Sequence, residues 1–118
     1  MDNELFTLTS EGTANVLALK FPPHLDSSEF DRINEAVLQV LNGHAGARWI
    51  IDLSAQGYMG SALLGMMINV RQHVLMAGGR IVLCGLSPQL SRVFRTCCLE
   101  QLFTIRHTRS EAVRAADY

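Results

Sequence analysis

At 118 residues the chain has room for one hydrophobic core and is short for two, so a single domain over residues 1–118 is expected. A hydrophobic content of 48% against 18% charged residues is that of a globular protein with some apolar surface to spare. The net charge of −1 supplies no broad basic field, which excludes binding driven by a nucleic acid backbone or an anionic membrane.

The N-terminal Met1-Asp2-Asn3-Glu4 is acidic and lacks the basic and apolar regions of a secretory leader. No apolar run reaches the length of a membrane span, so the expected location is the cytoplasm, without direct membrane insertion. Leu5 to Thr9 alternates, Ser10-Glu11-Gly12 turns, and Ala14 to Phe21 is a second strand at hairpin distance. Pro22-Pro23 ends that run, and Asp26, Ser27, Ser28 and Glu29 offer caps to a helix whose apolar positions are Phe30, Ile33, Val37, Val40 and Leu41. Asn42-Gly43 closes it.

Trp49 to Leu53 is near-continuously apolar, the pattern of a central strand buried on both faces. After Gly57-Tyr58-Met59-Gly60, Ser61 stands as the N-cap of a second helix that runs to Ala77 and stops at Gly78-Gly79. At 100° per residue, Leu63, Met66, Met67, Val70, Val74 and Ala77 face the sheet. Leu64, Ile68 and Leu75 make a second apolar stripe bordered by Arg71 and Gln72, which is either covered by another helix or a docking surface. Arg80 to Gly85 is the next strand, reached by a right-handed crossover. Ser87-Pro88 opens a third helix with Leu90, Val93 and Phe94 inward, Thr104 to His107 is a last strand, and Ser110 caps a final short helix.

The order β-β-α-β-α-β-α-β-α predicts an α/β fold, a small, mainly parallel mixed sheet with about four helices packed against it. In such sheets ligands and partners meet the loops beyond the carboxyl ends of the strands, where Ser61 lies. A phosphate on Ser61 would add a charge of about −1.5 to −2 beside the positive end of a helix. The four histidines, His24, His44, His73 and His107, have no ligand spacing, and the three cysteines form neither a disulfide framework nor a metal motif. The thiols are expected to be reduced and at least half-buried. No catalytic residue, metal or cofactor is implied.

Trp49-Ile50-Ile51-Asp52-Leu53-Ser54, Tyr58 to Gly65, Gly78 to Leu83, Ser87 to Phe94 and Leu99 to Phe103, in this order and spacing, resemble the STAS domain family over about Leu5 to Ala116. The likeness is to its stand-alone bacterial anti-sigma factor antagonists of the sporulation and stress type. In that family the strand-to-helix loop commonly reads Asp-Ser-Ser-Gly-Leu-Gly, with the first Ser phosphorylated by an anti-sigma factor that is also a serine kinase. The resemblance puts Ser61 at that serine and implies a docking surface of Tyr58, Met59, Gly60, Ser61, Ala62, Leu64, Ile68 and Arg71. Gly60 replaces the Asp, Ala62 the second Ser, and Leu63 the first Gly; Leu63 is expected to add bulk where a partner approaches. The alternative role is an unphosphorylated subunit, homodimer or scaffold of a signalling or lipid-transport assembly.

Overall fold

In the computed structural model, which describes residues 5–58 and 60–117, ten short segments alternate as the sequence pattern requires. They are β1 (Phe6–Glu11), β2 (Ala14–Leu19), α1 (Ser27–Asn42), β3 (Arg48–Asp52), α2 (Ser61–Met76), β4 (Arg80–Cys84), α3 (Pro88–Thr96), a 3-10 turn at Leu99–Gln101, β5 (Thr104–Arg106) and α4 (Arg109–Ala116). The five strands lie in the sheet in sequence order, β1 antiparallel to β2 and every later pair parallel.

The apolar runs of β2, β3 and β4 are explained by cover on both faces. On one face Leu17, Leu19, Trp49, Ile51 and Leu83 pack beneath Ile33, Val37, Met67, Val70, Leu90 and Phe94 of α1, α2 and α3. On the other, Ala14, Val16, Ile50, Val82 and Cys84 pack beneath Ala112 and Ala116 of α4. The two faces are unequal. Ala112 and Ala116 contribute only about 0.8 kcal/mol each by burial, with Val113 and Ala115 partly buried beside them, so polar contacts at the ends of α4 add to its hold.

Those ends are pinned by polar contacts. Arg109 Nε and Nη2 donate to Asp52 Oδ2 at 3.0 and 2.8 Å, and Glu11 lies 3.7 Å from the same guanidinium. At the far end the Thr13 hydroxyl donates to Asp117 Oδ1 at 3.0 Å, and Arg48 donates to Thr13 at 2.9 Å.

Helix boundaries follow the capping chemistry with several corrections. Asp26 and Glu29 form a reciprocal capping box on α1, and Ser87 with Pro88 opens α3 as expected. Thr108, not Ser110, caps α4, accepting from the Glu111 amide. α2 ends at Met76 rather than Ala77, which is exposed; Gly78 and Gly79 amides donate back to Leu75 and Val74 in a Schellman closure. β5 stops at Arg106, before His107. Cys84 is buried, but Cys97 and Cys98 are exposed, because they fall at the C-cap of α3 and the turn beyond it.

Arg109→Ala leaves a buried carboxylate without its cation. It is expected to lower stability by about 3 kcal/mol, the low end of the range for breaking a buried pair, since Arg109 keeps 37% exposure. Chemical denaturation measures this, together with faster reaction of Cys84 with a thiol reagent as α4 loosens.

Candidate functional site

The residues of interest lie on the loop between β3 and α2, at the carboxyl end of a central strand. Among the described residues only two polar side chains are buried, Asp52 at the end of β3 and Gln56 midway along this loop. Asp52 Oδ1 accepts from the Ser54 amide at 2.9 Å and the Ser54 hydroxyl at 2.6 Å, while Oδ2 takes Arg109. Burial raises the Asp52 pKa, but the Ser54 hydroxyl and amide and Arg109 together outweigh it, and the carboxyl sits below its ordinary 3.8. Beside it, burial and the Asp52 charge push the Cys84 thiol up to about 12, which keeps it protonated and unreactive.

Gln56 works on the other side of the loop. Its Oε1 accepts from the Phe21 amide at 2.7 Å, and its Nε2 donates to the Phe21 and Gly57 carbonyls at 3.3 and 2.9 Å. The side-chain amide thus pairs with the backbone just past β2 as a neighbouring strand would. Gly85, at φ +74°, completes the support, since a Cβ there would overlap the Ser54 hydroxyl. The loop after β4 therefore lies directly against the loop after β3.

Gly60, not Ser61, is the N-cap of α2, and it makes no side-chain cap hydrogen bond. Its φ of +88° and ψ of −172° lie in a region open essentially to glycine alone. An acidic side chain at position 60 would be strained in this backbone. Ser61 takes the first helical position with its residue exposed, and Ala62 is exposed beside it. The hydroxyl stands in the first turn, where helix amides are short of acceptors and the dipole end is positive.

Two clefts meet at this point, sharing Phe30 and Ala62. One of about 750 Å³ runs over Pro23, His24, Leu25 and Glu29, and one of about 420 Å³ runs between α1 and α2 over Asn34, Gly65, Ile68 and Gln72. Asn34 Oδ1 is buried there without a hydrogen-bond partner among the described residues.

The expected docking residues separate in space. Ala62 and half-buried Ile68 line the cleft between the helices, and Gly60 and Ser61 directly precede Ala62 in the chain. Tyr58 is half-buried against the core. Leu64, at 9% exposure, packs into the core and is not surface, because α1 lies against α2. The second apolar stripe is therefore covered at Leu64, partly covered at Ile68 and open at Leu75. Arg71 turns elsewhere, its Nε donating to the Leu102 carbonyl at 2.8 Å. Leu63 is fully buried, so its bulk lies in the core and not on the partner side. Met59 lies outside the described residues. Among those described, no cluster of three or more His, Cys, Asp or Glu side chains could hold a metal ion, and no helix is long and apolar enough to cross a membrane.

Gln56, Arg109, Phe30 and Asn34 were not singled out by sequence as site residues. Asp52, a charge inside an apolar strand, was a signal that a cation must meet it, but its partner lies 57 positions away.

A family model for the STAS domain matches residues 7–112. A STAS-domain-containing protein of Pseudomonas aeruginosa is 33% identical over 58 residues, 49% of this chain and 57% of that protein's length. An anti-sigma-factor antagonist (STAS) domain protein from Planctomyces limnophilus superposes with a TM-score of 0.81 at 21% identity, covering 96% of this chain and 98% of that one. The anti-sigma factor antagonist SpoIIAA in its unphosphorylated form gives a TM-score of 0.70 at 21% identity, over 92% of each chain. At these identities the superpositions establish the fold.

Gly60→Ala, which meets no neighbouring atom but must hold a positive φ, is expected to cost about 1–3 kcal/mol in urea unfolding. Gly57→Ala, equally unobstructed and without that φ, is expected to stay within about 0.5 kcal/mol of the parent.

Proposed function

The chain belongs to the STAS domain family, and we propose that it is a non-enzymatic regulatory binding module, an anti-sigma factor antagonist. It docks on an anti-sigma factor that is also a serine kinase, through the 57–65 loop and the cleft between α1 and α2, and so frees a sigma factor in the cytoplasm. The single observation that carries this reading is the exposed Ser61 at the first position of α2, next to Ala62 of that cleft. Phosphorylation there places a dianion at the docking surface. It repels an acidic partner and costs desolvation against an apolar one, which switches docking off.

The solved antagonists of similar fold support the choice of partner class. Gly60 bears on the switch in two ways: it removes the acidic neighbour of the hydroxyl, and it leaves the start of α2 without a competing side-chain cap. Gly60 also favours a second reading, in which the domain is an unphosphorylated subunit or scaffold of a signalling or lipid-transport assembly.

Affinity capture from the native cell with tagged wild-type, Ser61→Ala and Ser61→Asp chains separates the two. The antagonist reading expects an anti-sigma factor kinase with wild type and Ser61→Ala, and at least tenfold weaker capture with Ser61→Asp, about 1.4 kcal/mol. A stoichiometric complex without a kinase that survives both substitutions would establish the second reading instead.

A further inference from the structure

Among the described residues the exposed large hydrophobic side chains are Leu75 (44%), Met76 (88%) and Leu102 (42%). Leu75 and Leu102 line one cleft, with Met76 next along α2. Ile81 and Val82 line the same cleft, and among the described residues Arg71 and Arg80 are the charged ones that line it. Arg71 is held in place by its bond to the Leu102 carbonyl. Neither arginine forms an ion pair among the described residues, in contrast to Arg48 and Arg109. The patch is therefore apolar at its centre and cationic at its rim, a combination that marks interaction surfaces.

Its position makes it independent of the Ser61 junction. Leu75 lies fourteen residues along α2 from Ser61, about 21 Å at 1.5 Å per residue. Its size also restricts the occupant. The cleft holds about 280 Å³, at the lower end of the roughly 300–1,000 Å³ of small-ligand pockets, and it opens beside the exposed Leu75 and Leu102. It suits one or two side chains presented from another surface. The neighbouring edge strand β5 has only three residues, which is little for an added strand to pair with.

We propose that this end of the domain binds an acidic amphipathic helix of a partner protein: apolar anchors seat against Leu75 and Leu102 while flanking carboxylates meet Arg71 and Arg80. The two arginines, which form no ion pair among the described residues, carry the choice of partner. They disfavour a basic segment and complement an acidic one, and the attraction weakens as salt screens it.

The test is an amide NMR titration of the full chain with a synthetic peptide carrying Leu at i, i+3, i+4 and i+7 among Glu residues, and with its counterpart bearing Lys in place of Glu. The acidic peptide is expected to shift Leu75, Met76, Arg80 and Leu102, and the Lys peptide to leave them unmoved. Arg80→Glu, at an exposed position at the start of β4, is expected to weaken binding at least tenfold, and added salt to weaken it further. Ser61→Asp is expected to leave this binding unchanged, which separates it from docking at the junction. The proposal is overturned by absence of binding, by equal binding of both peptides, or by shifts centred on Phe30 and Ala62. It is also overturned if the same residues shift on self-dilution, which would identify a second copy as the occupant, or on addition of dodecanoate, which would identify an acyl anion.

Discussion

Asp52 enters the core at the carboxyl end of β3 with a charge that burial opposes, and the surroundings of the candidate site are arranged to keep it there. Both of its oxygens are used, one by Ser54 within its own loop and one by Arg109 from α4. An uncompensated carboxylate at that depth would cost several kcal/mol, so the loop turns where Ser54 can reach and α4 begins where Arg109 can. Gly85 is required by the same arrangement, because the loop after β4 passes too close to Ser54 for a side chain. One ion pair thus couples the start of the candidate loop to the helix on the far face of the sheet.

Gln56 does for the loop's outer side what Asp52 does for its inner one. By pairing with the Phe21 backbone it substitutes a side-chain amide for the strand that the sheet lacks there. A loop held at both flanks can deliver Gly60 in a backbone conformation that few residues tolerate, and Gly60 in turn sets the direction in which α2 departs. Ser61 is then presented as the first helical residue, behind a glycine N-cap that makes no side-chain hydrogen bond. Gly60 fits the backbone conformation at position 60, where the family's usual acidic residue would be strained, and Leu63 is buried in the core.

Much of this architecture is legible in the sequence. Apolar runs around Trp49 and Ile81, capping residues at Asp26 and Ser87, and the order of the elements suffice for the α/β class and the strand-to-helix junction. Periodicity could place Leu64 on a second stripe of α2 but could not say that α1 covers it, since that depends on the crossing of two helices far apart in the chain. The cap of α2 was misplaced by one residue because serine is the commoner cap, and a glycine's φ is not written in its neighbours. Arg109 was illegible as the partner of Asp52 because nothing local links positions 57 residues apart. The cleft of Phe30, Ala62 and Ile68 was missed for the same reason: its walls come from separate helices.

The central claim is that a braced loop presents Ser61 and the cleft between α1 and α2 as one docking surface. Amide hydrogen exchange of the chain alone and saturated with whichever protein affinity capture recovers is the most direct measurement. The expected result is new protection in the first turns of α1 and α2 and in the loop before α2, with the amides of β3 and β4 slow in both states. Protection confined to other surfaces, with residues 60–69 exchanging as fast in the complex as in the free chain, would contradict the account.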